Sequence, residues 1–273
     1  MEFEILTLEE ILHRKGLDHS QHHAHQISFY LLILATKGEG THTIDFEGYT
    51  YEAGTVLTIR KDQVHSFHPS NAKGHVLLFT EEFMVSYMEQ TSAQKIQEVF
   101  NELLFEQRTN LSPEELKEAM LILNQITREF SQHADVHSSG IIRNLLQVFV
   151  SKLHRVRSKN QIRQEHKYTP QFTKLQRLIE KHCKESRAVQ FYAEKLNVTT
   201  KTLNNITHHV INKSPKTLID EILVLQIKRA LINTDLTVKE IAYQSGFDEP
   251  TNLFKFFKKF TNLTPEVFRA TYS

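Results

Sequence analysis

From about residue 26 to residue 80 the chain alternates short apolar runs with glycine-bearing breaks. Ile27–Ala35, Thr41–Phe46, Thr50–Tyr51, Thr55–Ile59 and His75–Phe79 are separated by Gly38-Glu39-Gly40, Glu47-Gly48 and Ala53-Gly54. Short, closely spaced strands with glycine turns predict a β-barrel or sandwich. Ile27–Ala35 is apolar at positions of both parities, so alternation does not say which of its side chains point inward. Beyond residue 81 glycine nearly vanishes and the period changes. Ser112-Pro113-Glu114-Glu115 is a helix start, with Ser112 as N-cap and proline in the first turn. Leu116, Met120, Leu123 and Ile126 then form a stripe at three-to-four spacing, on a helix expected to end near 132. A second helix is expected from Ser138 to Arg157, burying Ile141, Leu145, Val148 and Leu153. Arg155–Lys167 is polar and basic without periodicity. The expected division is therefore a first domain at 1–157, a linker at 158–168 and a second domain at 169–273, opened by a helix capped at Thr169-Pro170.

The second domain contains a repeat, which takes precedence over any single motif. Val189-x-x-Tyr192-Ala193-x-x-Leu196-Asn197-Val198 matches Val238-x-x-Ile241-Ala242-x-x-Ser245-Gly246-Phe247. Further on, Leu203 matches Leu253, Asn212 matches Asn262, and Ser214-Pro215 matches Thr264-Pro265. Ala193 and Ala242 suit a close helix crossing. Asn197 and Gly246 fall at a turn needing positive φ. Val198 and Phe247 are apolar plugs beneath that turn, and Thr199 and Asp248 are expected to cap the following helix. Helix, turn, helix is the arrangement that delivers a second helix into a DNA major groove. Here it occurs twice, joined by an apolar helix from Pro215 to about Asn233.

Composition adds three points. The 273 residues have no apolar run approaching the roughly 18 of a membrane span, and the acidic Met1-Glu2-Phe3-Glu4 start is unlike a signal peptide. The single cysteine, Cys183, excludes an internal disulfide and argues against a zinc knuckle, so a cytoplasmic location is expected. The net charge of +1 conceals an asymmetry. Residues 160–273 carry 18 Lys/Arg against 11 Asp/Glu, or +7, whereas 1–159 carry 15 against 21, or −6. Only one half is suited to approach phosphates, which speaks against a purely architectural DNA-binding protein.

The second repeat, Ile241-Ala242-x-x-x-Gly246-Phe247, Leu253, Phe257-Lys258-Lys259, Thr264-Pro265 and Arg269, resembles the signature of the AraC/XylS family of bacterial transcriptional regulators. The resemblance covers about 168–273. The first repeat departs from it, with Asn197 for the usual glycine and Thr207-His208-His209 for the common Phe-Lys-Lys. Leu203, Ile206, Leu253 and Phe257 should face the core. Lys201, Thr202, Asn204, Asn205 and His208 are left outward in the first unit, and Pro250, Thr251, Asn252, Lys255, Lys258 and Lys259 in the second. The resemblance implies base contacts at Lys201, Thr202, Asn204 and Asn205, and at Thr251, Asn252 and Lys255. Asparagine can pair in two-toothed fashion with adenine, and lysine reaches guanine or phosphate. It also implies operator DNA, a homodimer formed through the helices at 112–132 and 138–157, and RNA polymerase as partners, with no membrane.

Family members often carry an N-terminal cupin-type barrel that senses a small molecule, and His25, Gly38, Gly40, His42, Ile44, Gly54, Val64 and His65 are similar to that pattern. The overall expectation is an α+β multidomain protein: a cupin-like barrel with a helical dimerisation segment, then an all-α domain with two helix-turn-helix units. Nine of the 16 histidines lie in the first 75 residues, at 13, 19, 22, 23, 25, 42, 65, 68 and 75. They could be solvated, line a pocket, or sit hydrogen-bonded in a core. Enzymatic cupins pair His-x-His with a nearby Glu and a later His. Here His23-x-His25 meets no Glu before Glu39, and Arg60-Lys61-Asp62-Gln63 stands where Pro-x-Gly is usual. We therefore expect no metal, no cofactor and no enzyme, and an effector pocket using His25, Tyr30, His42 and His65. The alternative function is a metal-dependent cupin enzyme fused to a DNA-binding module.

Overall fold

Short strands build the N-terminal half in the computed structural model, which describes residues 2–13, 23–86, 97–132, 135–160 and 167–272. The chain divides into two units, Met1–Ile162 and Arg163–Ser273. The first contains β1 (Phe3–Thr7), α1 (Leu8–His13), β2 (His25–Gln26), β3 (Tyr30–Lys37), β4 (Glu39–Ile44), β5 (Glu47–Glu52), β6 (Thr55–Ile59), β7 (Val64–Phe67), β8 (Lys73–Phe79), α2 (Glu81–Val85), β9 (Arg108–Asn110), α3 (Pro113–Gln132) and α4 (Ser138–Asn160). One antiparallel sheet runs β1-β8-β3-β6-β9 and a second runs β2-β7-β4-β5.

The double-sided apolarity of β3 has a simple cause: the strand is central and covered on both faces. Tyr30, Leu32 and Leu34 pack with the helices α3 and α4, in a cluster that includes Leu123, Ile126, Leu146, Phe149 and Val150. Leu31, Ile33 and Ala35 face the other way and share a core with Ile44, Tyr51 and Phe67 of the second sheet. The hairpin between β4 and β5 turns at Asp45-Phe46, with φ of 46° and 75°, rather than at Glu47-Gly48. Glu47 and Gly48 are already paired with Ile44 and Thr43. The Asp45 carboxylate accepts from Gln63 Nε2 (2.7 Å) and Val64 N (3.2 Å), which fixes this aspartate in a conformation that it tolerates better than most residues.

The helices begin and pack in an instructive way. Ser112 and Glu115 form a reciprocal cap at the start of α3: Glu115 N donates to Ser112 Oγ (3.2 Å) and Ser112 N to Glu115 Oε2 (2.9 Å). The stripe expected to serve dimerisation is core instead. Leu123 and Ile126 are fully buried, and Leu116 and Met120 pack against the same cluster. On α4 the buried apolar residues are Ile142, Leu146, Phe149, Val150, Leu153 and Val156, while Ile141 and Val148 are 42% and 47% exposed. The helix is apolar at so many positions that periodicity alone did not fix its face. Arg143 Nε donates to Phe83 O (2.8 Å) and Gln147 Nε2 to Met84 O (3.2 Å), which turns that side of α4 toward α2. The helix also extends past Arg157 to Asn160. Arg157 is 4% exposed and donates to Thr109 Oγ1 (2.6 Å), Thr58 Oγ1 (3.0 Å), Gln107 O (3.2 Å) and Val99 O. Four neutral acceptors thus hold a buried guanidinium. Burial lowers its pKa to about 9, which still leaves it charged at neutral pH.

The second unit is all helical: α5 (Thr169–His182), α6 (Val189–Lys195), α7 (Thr200–Ile211), α8 (Pro215–Asn233), α9 (Val238–Gln244), α10 (Pro250–Thr261) and α11 (Pro265–Tyr272). Helix α8 is its spine, burying Leu218, Ile219, Ile222, Leu223, Val224, Ile227 and Leu231. A helix apolar on most sides must lie inside, and packing of both repeats around α8 satisfies it. Thr199 caps α7 as expected, and Ser214 and Thr237, not singled out as caps in the sequence, likewise each accept a backbone N–H of the helix they precede. Two expected caps do not form. Helix α10 is preceded by Glu249, without a side-chain cap bond, instead of Asp248, and α5 by Tyr168, with Thr169 already helical. In both helices a proline fits the first turn and itself lacks an N–H needing a cap.

Candidate functional site

Each repeat places one helix for recognition. In the first, α6 ends at Lys195, Asn197 turns the chain with φ 56°, and Thr199 Oγ1 starts α7 by accepting from Thr202 N at 3.0 Å. In the second, Gly246 turns with φ 76° between α9 and α10. Tyr192 and Ala193 of α6 and Ile241 and Ala242 of α9 are buried, which brings the helices of each unit close. Leu203, Ile206, Leu253 and Phe257 are buried on the recognition helices. Their inward pull turns the opposite face to solvent.

On α7, Lys201, Asn204, Asn205 and His208 are exposed and Thr202 is half-exposed. Spacings of three, four and seven residues put Lys201, Asn204, Asn205 and His208 on one face. Thr202 lies nearer the cap, with Oγ1 2.9 Å from Thr199 Oγ1. On α10, Thr251, Asn252, Lys255, Lys258 and Lys259 are exposed, and Pro250 is half-exposed at the first turn. Thr251 Oγ1 donates to Glu249 Oε2 at 3.2 Å. Lys258 and Lys259 stand in the last turn, where cations offset the negative end of the helix dipole. Asn212 and Asn262 close the two helices in the left-handed conformation, with φ of 55° and 59°. That pair was visible in the repeat, but the sequence reading gave it no role.

In the first unit, three of the four predicted effector residues come together. His25 pairs with His65 across β2 and β7, their rings 4.4 Å apart. His65 Nδ1 lies 3.1 Å from His42 Nε2, and the His42 ring meets Phe67 edge-on at 4.5 Å. His42 is fully buried, and its Nδ1 has no hydrogen-bond partner among the described residues. Burial, with smaller contributions from His68 and His25, pushes its pKa down to about 3. His68 Nε2 lies 2.7 Å from Thr43 Oγ1, on the face of β4 opposite to His42. Tyr30 belongs elsewhere, on the helix-facing side of its sheet, stacked on Phe79 at 5.8 Å and edge-on to Phe100 at 4.9 Å. His19 and His22 lie outside the described residues. Among the described residues no three His, Cys, Asp or Glu side chains form a group that could hold a metal ion.

A sequence profile described as the AraC-like ligand binding domain matches residues 8–148, and one described as a helix-turn-helix domain matches 192–271. The chain belongs to the AraC family. It is a DNA-binding transcriptional regulator with an effector-binding N-terminal half. Among its curated relatives in the family, the transcriptional activator RhaS of Citrobacter koseri is 20% identical over 246 residues, covering 90% of this chain and 86% of the relative. RhaS of Salmonella paratyphi A is 21% identical over 249 residues, with the same coverage. Among AraC-like solved structures, ToxT of Vibrio cholerae bound to an unsaturated fatty acid is 15% identical with a TM-score of 0.49, covering 99% of this chain and 96% of that one. Among the described residues no helix is long and apolar enough to cross a membrane.

Proposed function

We propose that this AraC-family regulator reads its operator through α7 and α10, with Lys201, Thr202, Asn204, Asn205 and His208 facing one major groove and Thr251, Asn252, Lys255, Lys258 and Lys259 the next. The observation that carries this reading is the division of both helices into a buried apolar face and an exposed face of amides, hydroxyls and cations. Exposed amides supply base readout, and lysines at the helix end supply phosphate contacts. Two such helices on one chain suit successive grooves about 34 Å apart.

The effector site, in this reading, is the interior of the β-sandwich around His25, His42 and His65, where polar ring nitrogens meet apolar side chains. The ligand is a small organic molecule, the protein is not an enzyme, and it acts in the cytoplasm together with RNA polymerase. A homodimer forms through the outer faces of α3 and α4, where Leu121, Ile141 and Val148 are 60%, 42% and 47% exposed. Ile141 and Val148 are seven residues apart and share a helical stripe.

The experiment is selection of the full chain on randomised duplexes, followed by titration of the enriched operator with and without a panel of metabolites. An enriched sequence with two separated boxes is expected. A metabolite that stabilises the first unit is expected to change operator affinity by about 5- to 150-fold, the usual range of allosteric coupling. Failure to enrich any sequence at low salt would overturn the DNA reading. Ligands that bind yet leave operator affinity unchanged would overturn the gating.

A further inference from the structure

The two repeats differ at their turns in a way that turn geometry does not explain. Asn197 holds φ 56° with a side chain in place, so this helix-turn-helix turn does not by itself require glycine. Gly246, at the matching position with φ 76°, does require it for another reason. A Cβ there would stand 2.0 Å from the carbonyl oxygen of Lys184 and 3.0 Å from its carbonyl carbon. The backbone of the second repeat's turn therefore presses against the connection between α5 and α6, which leads directly into the first repeat.

A second contact reaches across the same seam. The Arg187 guanidinium lies over the Phe247 ring at 4.5 Å and over Phe256 at 5.6 Å, and these two rings are themselves 5.4 Å apart. Phe256 continues to Phe260 at 5.0 Å, so the stack runs along α10 itself. The α5–α6 connection is anchored at its base. Tyr192 Oη donates to Ser186 O (2.7 Å), and Ser186 N donates to His182 O (3.0 Å). Gln226 Nε2 of α8 donates to Glu180 O (2.7 Å), and Cys183 Sγ to Gln226 Oε1 (3.4 Å).

We propose that the α5–α6 connection is a brace between the two helix-turn-helix units, and that Arg187 and Gly246 are positioning residues that set the operator spacing the protein accepts. The inference rests on the DNA reading given above. Helix α8 by itself joins the units along one axis and leaves rotation about that axis soft. The brace is a second tie, displaced from that axis, and a second tie removes the rotation. Inserting one base pair between two boxes separates them by about 3.4 Å and rotates one against the other by about 35°. A braced protein cannot follow that change, whereas an unbraced one can.

The test uses the full chain, its selected operator, and versions of that operator with one base pair inserted or deleted between the boxes. The wild type is expected to bind the altered spacings about tenfold or more weakly, comparable with loss of a specific base contact. Arg187→Ala is expected to reduce that discrimination to about threefold or less while keeping the salt dependence of binding, since a residue that touches no phosphate leaves the slope unchanged. Arg187→Lys keeps a cation over the rings and should fall between the two. Gly246→Ala should act like Arg187→Ala if it folds, and the arginine variants decide the matter if it does not. Equal discrimination by wild type and Arg187→Ala overturns the brace, as does a wild type indifferent to spacing. A lowered salt slope in Arg187→Ala would instead make Arg187 a phosphate contact. A wild type that prefers no duplex at all would overturn the DNA reading underneath, a different signature from any of these.

Discussion

Replacing single residues on the two recognition helices separates readers of sequence from carriers of charge. Asn205 sits one turn into α7 on the exposed face, with Lys201 before it and His208 after it. Asn205→Ala removes a side chain able to pair with an adenine edge, at a cost of about 1–3 kcal/mol, or roughly 5- to 150-fold at one base position. Binding to unrelated DNA, which such an amide does not support, should change little. Lys255→Ala is expected to behave likewise, because Lys255 lies toward the centre of the exposed face of α10. Lys259 is four residues further along, about 6 Å along the helix axis and in the last turn. Lys259→Ala should weaken all duplexes alike. One phosphate contact fewer flattens the slope of log affinity against log salt by about 0.9, so between 0.1 and 0.2 M salt the variant loses roughly 1.9-fold less than wild type. Fluorescence anisotropy on the selected operator, on single-base variants and on random duplex, at four salt concentrations, measures all three quantities. The orientation of the helices is refuted if Lys259→Ala changes base preference while Asn205→Ala and Lys255→Ala leave it intact.

The buried His42 makes stability depend on acid. Its folded pKa of about 3 lies below the ordinary 6.5, so the unfolded chain binds the extra proton between those values. Stability from this group is present above pH 6.5 and is lost as pH falls toward 3, amounting to about 2 kcal/mol between pH 7.5 and 5. Denaturant unfolding of wild type and His42→Gln should show that part of the slope only in the wild type; identical slopes would refute it. Leu123→Asp puts a charge into the core shared by β3, α3 and α4 and should unfold the first unit, a loss above about 4 kcal/mol. Val148→Glu, on the outer face, should leave the unit folded and convert a dimer to a monomer by sedimentation. A wild type that is already monomeric at micromolar concentration removes the dimer. Burial pushes the Cys183 thiol up to about 11. We expect its reaction with a soluble disulfide reagent to be at least about a hundredfold slower in the folded protein than in urea.

What could be read from the sequence follows from how locally each feature is encoded. The strands Thr55–Ile59 and, within a few residues, β3, β4 and β8 announced themselves through glycine breaks and apolar runs. Strand β7, Val-His-Ser-Phe, did not, because a strand buried on all four residues shows no alternation and its histidine reads as polar. Strand β9, Arg-Thr-Asn, is an edge held by pairing to β6, a contact more than 45 residues distant in the chain that no local pattern encodes. Strand β1 did carry a signal, with Phe3 and Ile5 buried, in a segment considered only for targeting. The misread face of α4 has the same root. Ile141 and Ile142, or Val148, Phe149 and Val150, offer adjacent apolar choices, and only Arg143 and Gln147 bonding to carbonyls of α2 decide between them. The recognition helices were the most legible part, because each buries a short apolar stripe, Leu203, Ile206 and Val210 on α7 and Leu253 and Phe257 on α10, against an otherwise polar face. The histidine cluster was legible only as an excess of histidine. That His25, His42 and His65 converge while Tyr30 turns away is a matter of strand register.

The repeats also show why a duplicated sequence does not stay duplicated. The first copy keeps a small polar residue, Thr207, fully buried with its hydroxyl donating to Asn204 O at 3.2 Å, where the second has Phe257 in edge contact with Phe268 at 5.4 Å. The hydroxyl bond satisfies a polar group that would otherwise be costly in that core, and it holds to the backbone of the turn carrying Asn204 and Asn205. The aromatic pair instead secures α10 against α11, and Arg269 extends that hold by donating to Leu231 O (2.8 Å) of the spine helix and to Leu236 O (2.6 Å) just beyond it. Charge divides the same way. Lys201 is the one lysine on α7, whereas α10 carries Lys255, Lys258 and Lys259. The first helix therefore offers mainly directional groups and the second mainly charge. Directional groups discriminate between bases only if their helix is held in register with the groove, and non-directional charge cannot supply that register. It has to come from within the protein, from contacts such as those of Gly246, Phe247 and Phe256 with the α5–α6 connection, which Tyr192 in turn ties to the first copy.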